Sequence, residues 1–273
     1  MSSSGLHFSV VEPESGAASR CVLFLHGILG TGANWRAFAR RWVQAKPTWA
    51  AVLADLRMHG QSQSLPPPHT VQAAATDLVE LEANLPAPVE AVVGHSFGGK
   101  VALAYVDRKR GDLERAFILD SSPGTRLDHR GSESTLQVLG FLERVGPVPS
   151  RNAFVAQAVA AGLPQGIAQW LAMNLQPRGD SLAVKLDLGA IRTLLDDYFR
   201  LDLWEVLEHP PGRVRFEVVL GGRSNVFDAA ERARLQAIAA RLPERVRVHE
   251  LPNAGHWVHV DDPEGVARVL LEN

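Results

Sequence analysis

Residues 92–100, which read VVGHSFGGK, are the most informative stretch of this 273-residue chain. They contain the pattern Gly-x-Ser-x-Gly, with an apolar strand-like run before it and a helix-like run after it. This order predicts that Ser96 lies on a sharp strand-to-helix turn, which exposes its hydroxyl as a nucleophile. Glycine at positions 94 and 98 fits, because a Cβ there would crowd a strained backbone. The alternative is a glycine-rich turn whose serine only caps the following helix.

Composition bounds the possible classes of protein. The chain is 46% hydrophobic with a formal net charge of −2, which suits one domain with an ample core and gives no electrostatic reason to expect a nucleic-acid partner. The lone Cys21 excludes an intramolecular disulfide framework and a cysteine-based zinc site, and we interpret it as a buried thiol. The N-terminal sequence shows no signal-peptide pattern and no apolar run is long enough to span a membrane. We therefore expect a cytoplasmic protein, and the sequence does not separate a monomer from a homodimer.

Strand-like and helix-like segments alternate along most of the chain. Such alternation predicts an α/β fold with a mostly parallel central sheet and helices on both faces. The predicted strands are residues 6–11, 20–25, 49–54, 89–93, 115–119, 213–220 and 245–251, and the predicted helices are 34–45, 70–84, 99–110, 229–241 and 263–271.

Residues 122–211 interrupt this alternation. They show helical periodicity in four places (135–145, 153–161, 167–174 and 189–199), are rich in proline and contain no convincing strand. We interpret them as a helical cap inserted before the penultimate strand, over a core formed by residues 1–121 and 212–273. Ligands bind at the carboxyl edge of such sheets, so the cap would help to line a pocket. Its large aromatic residues, divided between packing and lining, are Phe141, Phe154, Trp170, Phe199 and Trp204.

A serine nucleophile needs a base within hydrogen-bond reach. His256 follows the last predicted strand, so it emerges at the same sheet edge as Ser96, and we assign it as the general base. The alternative is a turn histidine satisfied by backbone groups. His259 is a much weaker candidate for the base.

The acid that orients the histidine is less obvious. After the penultimate strand, where a carboxylate is usual, the chain has Asn225, and a neutral amide cannot stabilise an imidazolium. Asp120 closes the strand that follows the nucleophile turn and is the better candidate. Asp228 is the alternative acid, although it resembles a helix cap paired with Glu231.

Two backbone N–H groups are expected to form an oxyanion hole, the group of donors that stabilises the negatively charged oxygen of the intermediate. We assign them to Phe97, directly after the serine, and to Ile28, in the glycine-containing loop after an early strand. We interpret His26 as a residue that holds this loop. The charged segment at residues 55–62 is interpreted as structural, and the absence of His-x-x-x-His or Glu-x-x-His spacing argues against a metal site.

Four motifs, HGxxG at 26–30, DxRxHGxS at 55–62, GHSFGG at 94–99 and GHW at 255–257, together resemble the α/β-hydrolase superfamily, in order and spacing. Within it the chain is similar to the small carboxylesterase and thioesterase branch that takes its acid from the strand after the nucleophile turn, which implies Asp120. The resemblance implies hydrolysis of small-molecule acyl esters or thioesters without a cofactor. The aromatic and aliphatic content of the cap favours a small to medium apolar acyl group.

Other functions use the same residues. The same three side chains can serve C–C bond hydrolysis, lactone opening, perhydrolysis or a lyase reaction. A ligand-binding protein on a hydrolase fold is a further alternative, which the retention of all three residues disfavours.

Overall fold

The computed structural model describes residues 5–14, 16–109, 113–129 and 133–272. Within these residues, one sheet is formed by seven strands: β1 (Phe8–Val11), β2 (Arg20–Leu25), β3 (Trp49–Ala54), β4 (Val89–His95), β5 (Arg115–Leu119), β8 (Arg215–Gly221) and β9 (Val246–Leu251). Their order in the sheet is β1-β3-β2-β4-β5-β8-β9, and they are parallel except for β1, which runs antiparallel to β3. The predicted α/β fold with a mostly parallel sheet is therefore confirmed.

Helices connect the strands and cover both faces of the sheet. They are α1 (Arg36–Ala45), α2 (Val71–Leu81), α3 (Phe97–Lys109), α9 (Ala229–Arg241), α10 (Val258–Asp261) and α11 (Pro263–Glu272). Alternate residues of β2 belong to different apolar clusters: Leu23 and Leu25 face one side, and Val22 and Phe24 the other. Burial on both faces explains why the inner strands are continuous apolar runs. No helix in the described part of the chain is long and apolar enough to cross a bilayer.

The segment between β5 and β8 contains five α-helices among its described residues: α4 (Glu133–Arg144), α5 (Arg151–Ala160), α6 (Gln165–Leu171), α7 (Leu188–Arg200) and α8 (Trp204–Glu208). It also contains an antiparallel hairpin, β6 (Leu175–Arg178) with β7 (Ser181–Val184). The prediction that this segment has no strand was wrong. Its strands have only four residues each, β6 includes Pro177, and the turn depends on Gly179 with φ of +60°. Proline within so short a run weakens any strand signal.

A buried lysine ties this segment to helix α3. Lys100, in the first turns of α3, donates hydrogen bonds from Nζ to the carbonyl oxygens of Gly124, Tyr198 and Leu201 at 2.7, 2.8 and 3.0 Å. Its ammonium also lies 4.5 Å from the centre of the Tyr198 ring. Burial lowers the pKa of Lys100 to about 7. One side chain therefore joins the helix after Ser96 to both ends of the inserted segment.

Candidate active site

Ser96 lies at the junction of β4 and α3 with a left-handed backbone, φ of +53°. The flanking glycines leave no room for a side chain. A Cβ on Gly94 would overlap the carbonyl of Gly98, and a Cβ on Gly98 would lie 2.5 Å from the carbonyl oxygen of His26. The glycines therefore let the start of α3 pack directly against the ends of β4 and β2, which holds the serine in its strained conformation.

The structure brings Ser96, His256 and Asp120 into one chain of hydrogen bonds. Nε2 of His256 lies 3.0 Å from Oγ of Ser96, and Nδ1 lies 2.7 Å from Oδ2 of Asp120. A carboxylate only accepts, so Nδ1–H donates to Asp120 and Nε2 is left to accept from the serine hydroxyl. This tautomer allows His256 to take the proton of Ser96.

Asp120, directly after β5, is held by hydrogen bonds from three different residues. It is fully buried with φ of +43°. Besides His256, it accepts hydrogen bonds from the N–H of Gly221 at 3.0 Å and from Oγ of Ser224 at 2.6 Å. The Ser224 hydroxyl and Nδ1 of His256 share the same carboxylate oxygen. Three donors thus satisfy a buried charge that would otherwise be costly.

Ser224 was not among the residues predicted to form the site. Its only signal in the sequence is Gly221-Gly222-x-Ser224, where the carboxylate usual after the penultimate strand is missing. The hydroxyl of Ser224 therefore lies close to the position where the acid is usual. It donates its hydrogen bond to Asp120, which follows the neighbouring strand β5.

The alternative acid, Asp228, and the alternative base, His259, make other contacts. Asp228 is the N-cap of α9, and its Oδ1 accepts from the N–H of Glu231 at 2.7 Å, as the capping pattern predicts. The ring of His259 packs against the rings of His95 and Trp35, with centres 4.6 and 4.9 Å apart. His256, and not His259, is the histidine hydrogen-bonded to Ser96.

The two predicted oxyanion donors flank Ser96. The N–H of Phe97 begins α3, and Ile28 lies in the loop after β2, where a Cβ on Gly27 would come 3.5 Å from Cβ of Ser96. Among the described residues, neither the Phe97 N–H nor the Ile28 N–H has a hydrogen-bond acceptor. Both amides therefore meet one requirement for oxyanion-hole donors, an N–H group that no described protein acceptor occupies.

His26 holds the loop that carries Ile28. Its Nδ1–H donates to the carbonyl of Gly27 at 2.8 Å, and its Nε2 accepts from the N–H of Leu56 at 3.0 Å. Burial lowers the pKa of His26, so the ring stays neutral, as these two roles require. The ring links the Ile28 loop to the segment after β3.

The charged segment after β3 is engaged in local contacts. Arg57 pairs with Asp77 through two hydrogen bonds of 2.7 and 2.8 Å. Asp55 accepts from the N–H groups of Gly32 and Gln61. His59 is buried, and burial lowers its pKa to about 3. These contacts agree with the structural interpretation of this segment.

A second histidine supports the backbone of His256. Nε2 of His95 lies 2.8 Å from the carbonyl oxygen of His256, so Nε2–H donates to it. Burial, followed by the neighbouring His259 and His256, places the pKa of His95 well below its usual value. His95 is thus a neutral donor that holds the backbone carbonyl of His256 in place. Although these histidines cluster, the described residues include no group of three His, Cys, Asp or Glu side chains suited to a metal ion.

Ser96 and His256 open into a cavity of about 290 Å³, called here the serine cavity. Its opposite wall comes from α4 and α6 and the chain between them, with Val138, Leu163 and Trp170 facing the site. No Asp, Glu, Lys or Arg occurs among the described residues that line it. Of the aromatic residues predicted to divide between packing and pocket, only Trp170 lines the cavity, while the others are buried.

Comparison with known proteins agrees with this fold. Residues 22–269 match the model of the alpha/beta hydrolase family. The sn-1-specific diacylglycerol lipase ABHD11 of Mus musculus is 29% identical over 251 residues, covering 89% of this chain and 77% of the lipase. The esterase YbfF of Escherichia coli K12 is 25% identical, covering 91% of each chain. The structure of a marine microorganism esterase superposes with a TM-score of 0.79 at 21% identity, covering 98% of each chain. The chain described here belongs to the alpha/beta hydrolase family.

Proposed function

We propose that this protein is a serine hydrolase that cleaves carboxylic esters or thioesters of small to medium apolar acyl groups through an acyl-enzyme intermediate. The observation that carries the proposal is the hydrogen-bond chain Asp120–His256–Ser96, in which the histidine tautomer leaves Nε2 free to accept the serine proton. An esterase and a lipase among its relatives support the same reaction class.

The reaction follows from the positions of these groups. Oγ of Ser96 attacks the acyl carbonyl while its proton passes to Nε2 of His256, and Asp120 stabilises the imidazolium. The amides of Phe97 and Ile28 bind the carbonyl oxygen as it becomes negative. The C–O or C–S bond then breaks as His256 gives its proton to the leaving atom. Water, activated by His256, attacks the acyl-serine ester and releases the carboxylic acid and free Ser96.

The lining of the serine cavity favours an apolar acyl group in the substrate. A substrate with a carboxylate on its acyl part would need a cationic partner, and the described lining residues supply none. A volume of about 290 Å³ suits a short or medium chain. We also propose that residues 122–211 act as a cap over a core of residues 1–121 and 212–273, because Val138, Leu163 and Trp170 close the cavity from that segment.

Hydrolysis of a p-nitrophenyl ester series from acetate to dodecanoate tests the proposal. We expect a maximum at one short or medium chain length in the wild-type protein. Ser96→Ala should lose at least about 10⁴-fold in kcat, and the exposed Ser64→Ala should behave as wild type. A fluorophosphonate should label wild-type protein and not Ser96→Ala. Equal rates in wild type and Ser96→Ala would contradict the proposal. Labelling of Ser96 without ester hydrolysis would favour the C–C hydrolase or lyase alternatives, and absence of labelling would favour the binding alternative.

A further inference from the structure

A second pocket, called here the polar pocket, lies where the inserted segment meets the core. It is lined by residues from 7–9, 31–36 and 53–63 on the core side, and by residues from 173–176 and Lys185 on the side of the inserted segment. Its volume is about 250 Å³, and it shares no described lining residue with the serine cavity. A ligand bound there would contact both parts of the fold without entering the active site.

Two cations line the polar pocket, one from each side. Arg36 is the first residue of α1, and Lys185 follows β7 in the inserted segment. Among the described residues, neither side chain has a hydrogen-bond or ion-pair partner. Arginine binds phosphate and carboxylate oxygens through its planar fork of donors, and lysine binds them as a point charge. A cation on either side of one small pocket favours a ligand that carries two negative charges.

The pocket also contains a carboxylate, Asp55, whose oxygens already have donors from the protein. Oδ1 accepts the N–H of Gly32 at 2.8 Å, and Oδ2 accepts the N–H of Gln61 at 2.9 Å. Nε2 of Gln61 donates to Nε2 of His7 at 3.0 Å, which leaves Nδ1–H of His7 to donate to Oδ2 of Asp55 at 3.1 Å. With His7 neutral, two cations and one carboxylate leave the described lining with a net positive charge.

We infer that the polar pocket binds a phosphate group between Arg36 and Lys185, either as free phosphate or as part of a small hydroxylated molecule. A phosphate monoester carries about −1.5 to −2 charges at pH 7, which matches the two cations. Uncharged side chains that can bind hydroxyl groups, Ser9, Gln63 and Gln176, also line the pocket. The volume is below the roughly 300–1,000 Å³ of pockets for drug-sized ligands, so the molecule is small.

A phosphate in this position would stabilise a series of contacts that ends at the loop carrying Ile28. The N–H of Lys185 donates to the carbonyl of Asn174 at 3.2 Å. Nδ2 of Asn174 in turn donates to the carbonyl of Leu29 at 3.3 Å. Leu29 directly follows Ile28, the second proposed oxyanion donor. Binding should therefore hold the inserted segment against the core beside the active site, and it should raise the melting temperature.

Isothermal titration calorimetry of the purified protein with inorganic phosphate and with glycerol 3-phosphate tests the inference. We expect one site per chain with a Kd of about 1 mM or lower at low ionic strength, and weaker binding as salt is added. Arg36→Gln and Lys185→Gln should each raise Kd by about tenfold or more, because each removes a charged hydrogen bond. Arg40→Gln, one turn along α1, and Arg178→Gln, at the end of β6, change exposed cations outside the pocket and should bind as wild type.

The two probes separate the two sources of phosphate. A lower Kd for glycerol 3-phosphate than for inorganic phosphate would identify an organic phosphate as the ligand, and a Kd that is no lower would identify free phosphate. No saturable binding of either probe up to about 20 mM, or the same Kd in Arg36→Gln and Lys185→Gln as in wild type, would overturn the inference. Ester hydrolysis and fluorophosphonate labelling of Ser96 do not depend on this binding, so the proposed function would stand in either case.

Discussion

The hydroxyl of Ser224 donates to Oδ2 of Asp120 at 2.6 Å, the same oxygen that accepts Nδ1–H of His256 at 2.7 Å. The serine does not touch the nucleophile. It acts through the carboxylate, by holding one charged oxygen in a fixed direction. Ser224 is therefore a positioning residue of the proposed triad.

Ser224→Ala should lower kcat by about tenfold, because a hydrogen bond to a charged group is worth about 1.5–3 kcal/mol, with KM little changed. Ser224→Thr keeps the hydroxyl and should restore kcat. An unchanged kcat in Ser224→Ala would show that the contact has no role in the reaction.

The two candidate acids can be separated by the same substitution at each position. Asp120→Asn should lower kcat by about 10⁴-fold, because the amide removes the negative charge and no longer enforces the productive tautomer. Asp228→Asn should keep near wild-type turnover, since asparagine also caps helices well. Steady-state kinetics on one ester decides between them. Full activity in Asp120→Asn would show that the acid lies elsewhere.

The three carbonyl oxygens around Lys100 predict a stability effect. Lys100→Met keeps the length of the side chain but leaves the carbonyls of Gly124, Tyr198 and Leu201 without this donor, so the free energy of unfolding should fall by about 3 kcal/mol. Urea unfolding measures the difference. Lys185→Met, at an exposed position, serves as the control and should change stability by less than about 0.5 kcal/mol. A variant at position 100 as stable as wild type would mean that burial of the ammonium costs as much as its hydrogen bonds return.

Buried histidines predict a loss of stability in acid. The folded protein has a pKa of about 3 for His59 and about 4 for His259, against an ordinary 6.5. Depressed folded-state values mean that the unfolded chain binds protons first, so stability is full above pH 6.5 and falls as the pH drops toward 4. The loss should be on the order of 2–3 kcal/mol for each histidine.

Urea unfolding between pH 7.5 and pH 4.5 measures this slope. Replacing the exposed His209 with glutamine should leave it unchanged, whereas His59→Phe should make it shallower. The phenylalanine ring at position 59 would take the place of the histidine ring beside His26 and Phe97, and it does not titrate. A free energy of unfolding that stays constant down to pH 5 would contradict the assignment of neutral buried rings.

Much of the fold was predictable because the signals are local. The strands Arg20–Leu25, Trp49–Ala54 and Arg115–Leu119 match their predicted limits, since each is an apolar run bounded by polar residues or a turn. The hairpin β6–β7 was missed because strands of four residues, one with a proline, carry little periodicity.

The site was predictable only as far as the sheet topology places residues at the carboxyl edge of the parallel strands. Because Ser96, Asp120 and His256 each follow such a strand, the sequence predicted that they lie close together. The contact of Ser224 with Asp120 spans 104 positions, and that of Lys100 with Leu201 spans 101. Such contacts depend on side-chain direction in the finished fold, which no local pattern encodes. The same holds for the left-handed backbone of Asp120, because nothing beside it in the sequence marks a positive φ.

The N–H of Ser96 donates to the carbonyl of Leu119 at 3.0 Å, one residue before Asp120. The proposed nucleophile and acid thus belong to a single strand–helix–strand unit, and ordinary parallel pairing of neighbouring strands sets the distance between them. Of the three side chains, only His256 has to arrive from far along the chain. Evolution could therefore vary the long inserted segment without disturbing Ser96 or Asp120, and a designer who wished to transplant this chemistry would need that unit, a correctly docked histidine and the Ile28 amide from the loop after β2.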